Sequence, residues 1–457
     1  MATELSPAAL RRALQRSEEI ALLDVREVGA FARKHLLLAV PAPLWRLELV
    51  IDALVPRRDT PVVLVDLDGS LLDEAAARLQ RLGYGHLSVL AGGTLAWEAA
   101  GLEVFSGVNV PSKALGEAVE QAAGTPHLTV DELRRRQAHG EPLVLIDGRT
   151  PEEFARFSLP GALNLPNGEL AWRVRELLPD SDTLVVVNCA GRTRSIVGAQ
   201  TLRDAGLPNP VAALENGTMA WLLAGHRLEQ GRHTPLPEPT PAHRAAAREG
   251  AQRLAQRAGV RHIDTPTLQR LAAEPGRTLY RFDTRSADEY RSGHLPGWRW
   301  APGGQLVQAT DEYLATRGAR IVLADFDGVR APVTAAWLRQ LGGFEVLLHA
   351  PPAGALLERG DEARRLRPDP AAPPVPWVTP HQAQAWLQAG TVQLIDVERS
   401  LAYARRHIAG AWFAAPDRLP ALLAARDGAK TVILSSADGV LASRVAAELR
   451  RRGIDAQ

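Results

Sequence analysis

A single cysteine, Cys189, lies between an apolar run, TLVVVN, and a segment of helical character, SIVGAQTLRDAG. A thiol at a strand-to-helix junction faces unpaired backbone N–H groups and the positive end of a helix dipole. Both favour the thiolate, its nucleophilic form. Gly191 lets the loop curl, so Ala190, Gly191, Arg192, Thr193, Arg194 and Ser195 are expected to form an anion-binding nest. Arg192 and Arg194 add fixed positive charge suited to an anionic substrate. A lone cysteine is usually an inert core residue; a glycine and two arginines beside it argue for chemistry instead. No metal site and no cofactor motif is read in the chain.

The elements that must position this loop occur four times. Asp24, Asp147, Asp283 and Asp396 each close an apolar run (IALLD, LVLID, LYRFD, VQLID). A second apolar run ends at Asp66, Cys189, Asp325 and Ser436, a spacing of 42 residues in the first three cases and 40 in the last. The leucine of an LxxxG helix end (Leu79, Leu202, Leu338, Leu449) follows 13 residues later every time. Such ungapped self-similarity means one unit copied four times. Short apolar strands alternating with helices predict an α/β protein of four tandem domains, each a small parallel sheet with helices on both faces. Ligands of such sheets bind at the carboxyl ends of the strands, where Cys189 falls.

The residues of repeat two, LIDGRTPEEFARFSLPGALNLP, VVVNCAGRTRSIVGAQTLRDAG and LENGTMAW, resemble the rhodanese family of sulfurtransferases. The resemblance covers all of repeat two, with weaker copies over repeats one, three and most of four. It implies that Cys189 carries sulfur as a persulfide, taken from a small anionic donor such as thiosulfate and passed to a thiol, a cyanide-like acceptor or an acceptor protein. Asp147 and Arg149 match the family's Asp-x-Arg and are expected to brace the loop, with Glu153 completing the ion network. The family's histidine before the Pro-Gly-Ala turn survives as His35, His294 and His407 but is Ser158 in repeat two, so the histidines are expected to be structural. Trp97 and Trp221 read as core residues.

The other three loops carry Asp68, Asp327 or Asp438 two residues past the cysteine position, which opposes anion binding. VDLDGSLLD, with Asp66 and Asp68, also resembles the Asp-x-Asp motif of haloacid-dehalogenase phosphatases, but its register with Cys189 and the scarcity of lysines argue against that chemistry. Two other classes stay open. A cysteine-dependent phosphatase or arsenate reductase would use a similar loop, although such enzymes place five residues between Cys and Arg and only four separate Cys189 from Arg194. A non-catalytic interaction scaffold would account for the three repeats without a nucleophile.

The 457 residues suit three or four domains, placed at 1–107, 124–231 (catalytic), 258–360 and 376–457, the last incomplete at its C-terminal end. A net charge of +1 gives no case for nucleic acid or an anionic membrane. One cysteine, no apolar core in MATELSPAALRRALQRSEE and no membrane-length apolar run point to a cytoplasmic protein. Homo-oligomerisation stays open. Residues 232–243 (RHTPLPEPTPAH) and 361–376 read as extended connectors, whereas the shorter link at 107–126 predicts that repeats one and two pack as a rigid pair, repeat one walling the Cys189 pocket.

Overall fold

A computed structural model describes residues 2–362, 372–424 and 431–457. The fold is α/β: small parallel sheets flanked by helices. In repeat two a leading helix α1 (Val110–Ala123) precedes β1 (His127–Leu128) and β2 (Leu143–Asp147). Then come α2 (Pro151–Arg156), β3 (Leu163–Asn164), β4 (Leu184–Asn188), α3 (Thr193–Asp204), β5 (Val211–Leu214) and α4 (Gly217–Leu223). The strands pair in parallel in the order β1-β5-β4-β2-β3, which puts β4 at the centre.

The sequence LVVVN explains that central place. Alternate residues of a strand point to opposite faces: Val185 and Val187 pack with Ile196, Val197 and Leu202, while Val186 packs with Leu145, Phe154 and Trp221. A strand buried on both sides needs apolar residues throughout, which is why the run is continuous and not alternating. The short α2 starts with a capping box, in which the Thr150 hydroxyl accepts the Glu153 N–H and the Glu153 carboxylate accepts the Thr150 N–H.

Repeats one and three have the same strand order. In repeat one it runs Thr3–Leu5, Leu87–Leu90, Val62–Val65, Ile20–Asp24, Val40–Pro41. In repeat three it runs Arg261–Ile263, Glu345–His349, Arg320–Ala324, Leu279–Asp283, Arg299–Trp300. Among the described residues, repeat four has three strands, Thr431–Ser435, Val392–Asp396 and Trp412–Phe413. At the place of the strand read as missing there, Gln457 donates to Val432 O and accepts from Leu434 N. Most of the connector expected at 361–376 lies outside the described residues. No helix among the described residues is long and apolar enough to cross a membrane.

The chain divides into two compact units, one holding repeats one and four, the other repeats two and three. Repeat two, expected from the short link to pair with repeat one, shares its compact unit with repeat three. The reason is visible in the link itself, which folds as α1, and α1 packs on α3 of repeat two. The proline-rich stretch after repeat two leads into α5 (Pro241–Arg257), and α5 packs on α6 (Arg330–Leu341) of repeat three. One hydrophobic cluster, from Ile146 and Val187 to Phe282 and Trp337, runs through both repeats. Across this interface the Trp337 indole N–H donates to Thr201 Oγ1 at 2.8 Å. A Cβ on Gly168 would lie 2.8 Å from the Gly304 nitrogen, and one on Gly304 the same distance from the Gly168 nitrogen, so only glycines allow the two backbones this close.

Candidate active site

Cys189 follows the last residue of β4 and is 2 % exposed. Its Sγ lies 3.7 Å from Ser195 Oγ, whose hydroxyl is itself 2.7 Å from the Arg192 carbonyl. The loop is tied down from behind: Thr218 N donates to Cys189 O at 2.9 Å and Met219 N to Ala190 O at 3.1 Å. That docking requires glycine at 217, where φ is +52° and a Cβ would sit 2.0 Å from the Cys189 carbonyl oxygen. Among the described residues, the amides of Ala190 through Ser195 find no acceptor in the protein, whereas Ile196 N already closes onto Arg192 O. A fan of unpaired N–H groups beside the thiol is what the sequence leads one to expect.

The two arginines are placed differently from the expectation of free positive charge. Both guanidinium arms of Arg194 reach Glu153, at 2.6 and 2.8 Å, a bidentate pair with the Arg194 side chain 13 % exposed. Burial alone would depress the Arg194 guanidinium, but the hydrogen bond and charge of Glu153, with smaller contributions from Cys189 and Asp147, hold it above its ordinary value. Burial likewise opposes ionisation of Glu153, and Arg194 outweighs it, holding the carboxyl below the usual range. Arg192, half exposed, pairs with Glu120 on α1. Glu120 is a member of the site that the sequence reading missed. It lies outside the repeat, and the signal available was its place one turn from the end of a helix leading into the catalytic domain.

Asp147 and Arg149 brace the end of β4. The carboxylate takes Arg149 N, Nε and Nη2 at 3.0, 2.9 and 2.7 Å and accepts from Asn188 Nδ2 at 3.1 Å, next to the cysteine. Arg149 Nη2 also donates to Phe157 O. Repeats one and three repeat this with Asp24–Arg26 and Asp283–Arg285. The three histidines stack on aromatic residues four positions earlier, His35 on Phe31, His294 on Tyr290 and His407 on Tyr403, each with Nδ1 against that residue's carbonyl. Ser158 in their place is fully buried, and its Oγ has no hydrogen-bond partner among the described residues. Trp97 and Trp221 are buried, each indole N–H capping a carbonyl, Glu103 O and Arg227 O.

The other loops fill themselves. Asp66 accepts from Gly69 N at 2.6 Å and Leu71 N at 2.8 Å. Asp325 accepts from Gly328 N, Val329 N and Ala331 N at 2.8, 3.1 and 2.7 Å. Burial and the neighbouring Asp327 push the Asp325 carboxyl up, against the pull of those amides. Ser436 Oγ takes Ala442 N at 3.1 Å. Each degenerate repeat thus supplies its own acceptor at the cysteine position. A cavity of about 20 Å³, lined by Asn167, Gly168, Thr193, Arg194 and Gly303, lies between repeats two and three behind the loop, and it has room for about one water, not for a donor.

Comparison with known proteins places this geometry. The model of the rhodanese-like domain matches residues 6–100, 129–224 and 379–456. The crystal structure of a thiosulfate sulfurtransferase from Pseudomonas aeruginosa superposes with a TM-score of 0.94 at 42 % identity, covering 99 % of this chain and 86 % of that one. A sulfurtransferase of Allochromatium vinosum is 35 % identical over 95 residues, 21 % of this chain and 86 % of its own length. An HTH-type transcriptional regulator of Mycobacterium tuberculosis is 29 % identical over 193 residues, 40 % of this chain and 84 % of its own.

Proposed function

Since the chain belongs to the rhodanese-like family, we propose that Cys189 moves sulfane sulfur from an anionic donor of the thiosulfate type to a thiophilic acceptor through a persulfide. The enzyme is a sulfurtransferase; the persulfide, the donor and the acceptor are the finer assignment. The observation that carries it is the contrast between loops: three are closed by an acceptor of their own, and the one with a thiol leaves its amides unpaired. Those amides are suited to an anion held against the cysteine.

In the first step the Cys189 thiolate attacks the outer sulfur of thiosulfate. A new S–S bond forms, the donor's S–S bond breaks, and its electron pair leaves with sulfite. In the second step a cyanide ion or an acceptor thiolate attacks the terminal sulfur, and the pair of the broken bond returns to Cys189. Neither step needs a general base when the attacking nucleophile is already an anion, in keeping with Ser158 standing where the other repeats have a histidine. Ala190 through Ser195 contribute the amides; Asp147, Arg149 and Glu153 hold the loop in place. Phosphatase or arsenate reductase chemistry fits less well, because only four residues separate Cys189 from Arg194 where such enzymes place five, a loop one residue short for a phosphate-sized group.

Mass spectrometry of the full chain after incubation with thiosulfate tests the proposal. A gain of about 32 Da, removed by a thiol reductant and absent in Cys189→Ser, is expected. No gain with thiosulfate, mercaptopyruvate or a polysulfide overturns it.

A further inference from the structure

The residue three past the cysteine register is glycine in each degenerate repeat, Gly69, Gly328 and Gly439, with φ of +100°, +74° and +76°. Repeat two has Arg192 there, with φ of −117°, a conformation that a side-chain-bearing residue holds without strain. The loop that carries the thiol is thus the one with a side chain at this place, and that side chain is a cation.

Arg192 is drawn away from the loop by Glu120 of α1, in a pair whose side chains are 48 % and 20 % exposed. The helix that supplies this partner is fixed where it lies. Ser112, Gly116 and Glu120 recur every four residues and so share one face. Ser112 Oγ donates to Gln308 O of repeat three at 2.7 Å, and a Cβ on Gly116 would come 3.0 Å from Thr193 Cγ2, at the start of α3. Glu120, one turn on, then meets Arg192, while its other carboxylate oxygen stands 3.9 Å from His127 Nδ1, outside hydrogen-bond distance. Repeat three shows the same reach with the charges exchanged. Its leading helix α5 carries Arg248, which donates from Nε to Asp327 O at 2.7 Å and passes 3.9 Å from the Cβ position of Gly328. In both repeats a leading helix therefore touches the loop at the same place, an acid on a basic loop in one and a base on an acidic loop in the other.

We infer, on the reading that Cys189 takes sulfur from an anionic donor, that Glu120 is a positioning residue that holds Arg192 aside until the donor arrives and then yields it. Arg192 lies close enough to serve: its carbonyl is 2.7 Å from Ser195 Oγ, which is 3.7 Å from the Cys189 sulfur. An ion pair this exposed is weak, and thiosulfate, with two negative charges, competes with a single carboxylate for the guanidinium. When sulfite departs the pair re-forms, so the positive charge is present for the donor and withdrawn before the acceptor attacks.

Steady-state kinetics of the full chain, with thiosulfate varied at saturating cyanide, tests this. Glu120→Gln and Glu120→Ala should each lower the thiosulfate KM about two- to fivefold with kcat nearly unchanged, the alanine variant serving where glutamine keeps a hydrogen bond to the arginine. Arg192→Ala should raise KM, and Glu120→Gln added to Arg192→Ala should change it no further. A KM that is unchanged or raised in both Glu120 variants overturns the inference. So does a KM lowered equally with and without Arg192, because Glu120 would then act by repelling the donor and not through the arginine. The mass gain at Cys189 is followed on the same samples. Its presence beside an unchanged KM overturns this inference alone, and its absence in the wild type overturns the proposed function and this inference with it.

Discussion

The two arginines beside Cys189 show how neighbouring residues of one type come to do different work. Arg194 is clamped by Glu153 in a part-buried bidentate pair, so its loss should register as loop disorder and not as weaker donor binding. Glu153→Gln leaves that guanidinium without its counter-charge. A fully buried pair broken in this way costs about 3–5 kcal/mol. With the Glu153 side chain 35 % exposed, about 2 kcal/mol is expected in denaturant unfolding, together with a lower kcat and a nearly unchanged donor KM. The equivalent residue in repeat three, Glu289, sits on Arg330 at 2.5 and 2.7 Å. Burial opposes its ionisation, but Arg330 and Ser286 prevail and hold its carboxyl down to about 2. A carboxyl depressed in the folded state stabilises the protein at pH above its unfolded value and loses that contribution as pH falls through the folded one. The stability difference between wild type and Glu289→Gln should therefore be full above about pH 4.5 and fade as pH falls toward about 2, which thermal unfolding at stepped pH would show. Equal differences at pH 7 and pH 2.5 would refute the pairing. The Asp147–Arg149 brace and the glutamate were legible in the sequence because each lies within a few residues of a strand end. The partner of Arg192 was not, because Glu120 is 72 residues away on a helix outside the repeat.

At the scale of elements, the loop is held by the start of α4 as much as by α3. Gly217 is the point of contact, and Gly217→Ala would drive a methyl group into the Cys189 carbonyl while straining a positive φ. Sulfur transfer should fall by an order of magnitude or more, with a stability loss above about 1 kcal/mol; wild-type turnover in a correctly folded variant would show that the contact does not position the thiol. The repeats themselves were legible in the sequence, since a largely apolar run of four residues closed by aspartate admits few other readings and the spacing recurs. What the sequence did not disclose was which repeats share a compact unit. A short link suggested adjacency of repeats one and two, yet the link became α1, whose Gly116 lies against Thr193. The faces that decide such pairing include glycines, Thr201 and Trp337, residues that share neither a type nor an apolar periodicity.

At the scale of the unit formed by repeats two and three, packing dominates. Trp337 is 3 % exposed and spans the interface to Thr201, so Trp337→Ala should cost about 3–5 kcal/mol through the cavity left and the hydroxyl unpaired, read by denaturant unfolding. A loss under about 1 kcal/mol would mean that the two repeats do not rely on this contact. The interface has a further property. Gly168 and Gly304 both lie 21 residues past the aspartate that closes their own repeat's first long strand, and Thr201 and Trp337 both lie 12 residues past the cysteine position. Equivalent residues therefore touch each other, which is the signature of a two-fold dimer whose patch is its own complement. Written into one chain, that symmetry frees the two halves to diverge. A threonine on one side and a tryptophan on the other now fill the space near the axis, an arrangement that identical subunits could not adopt.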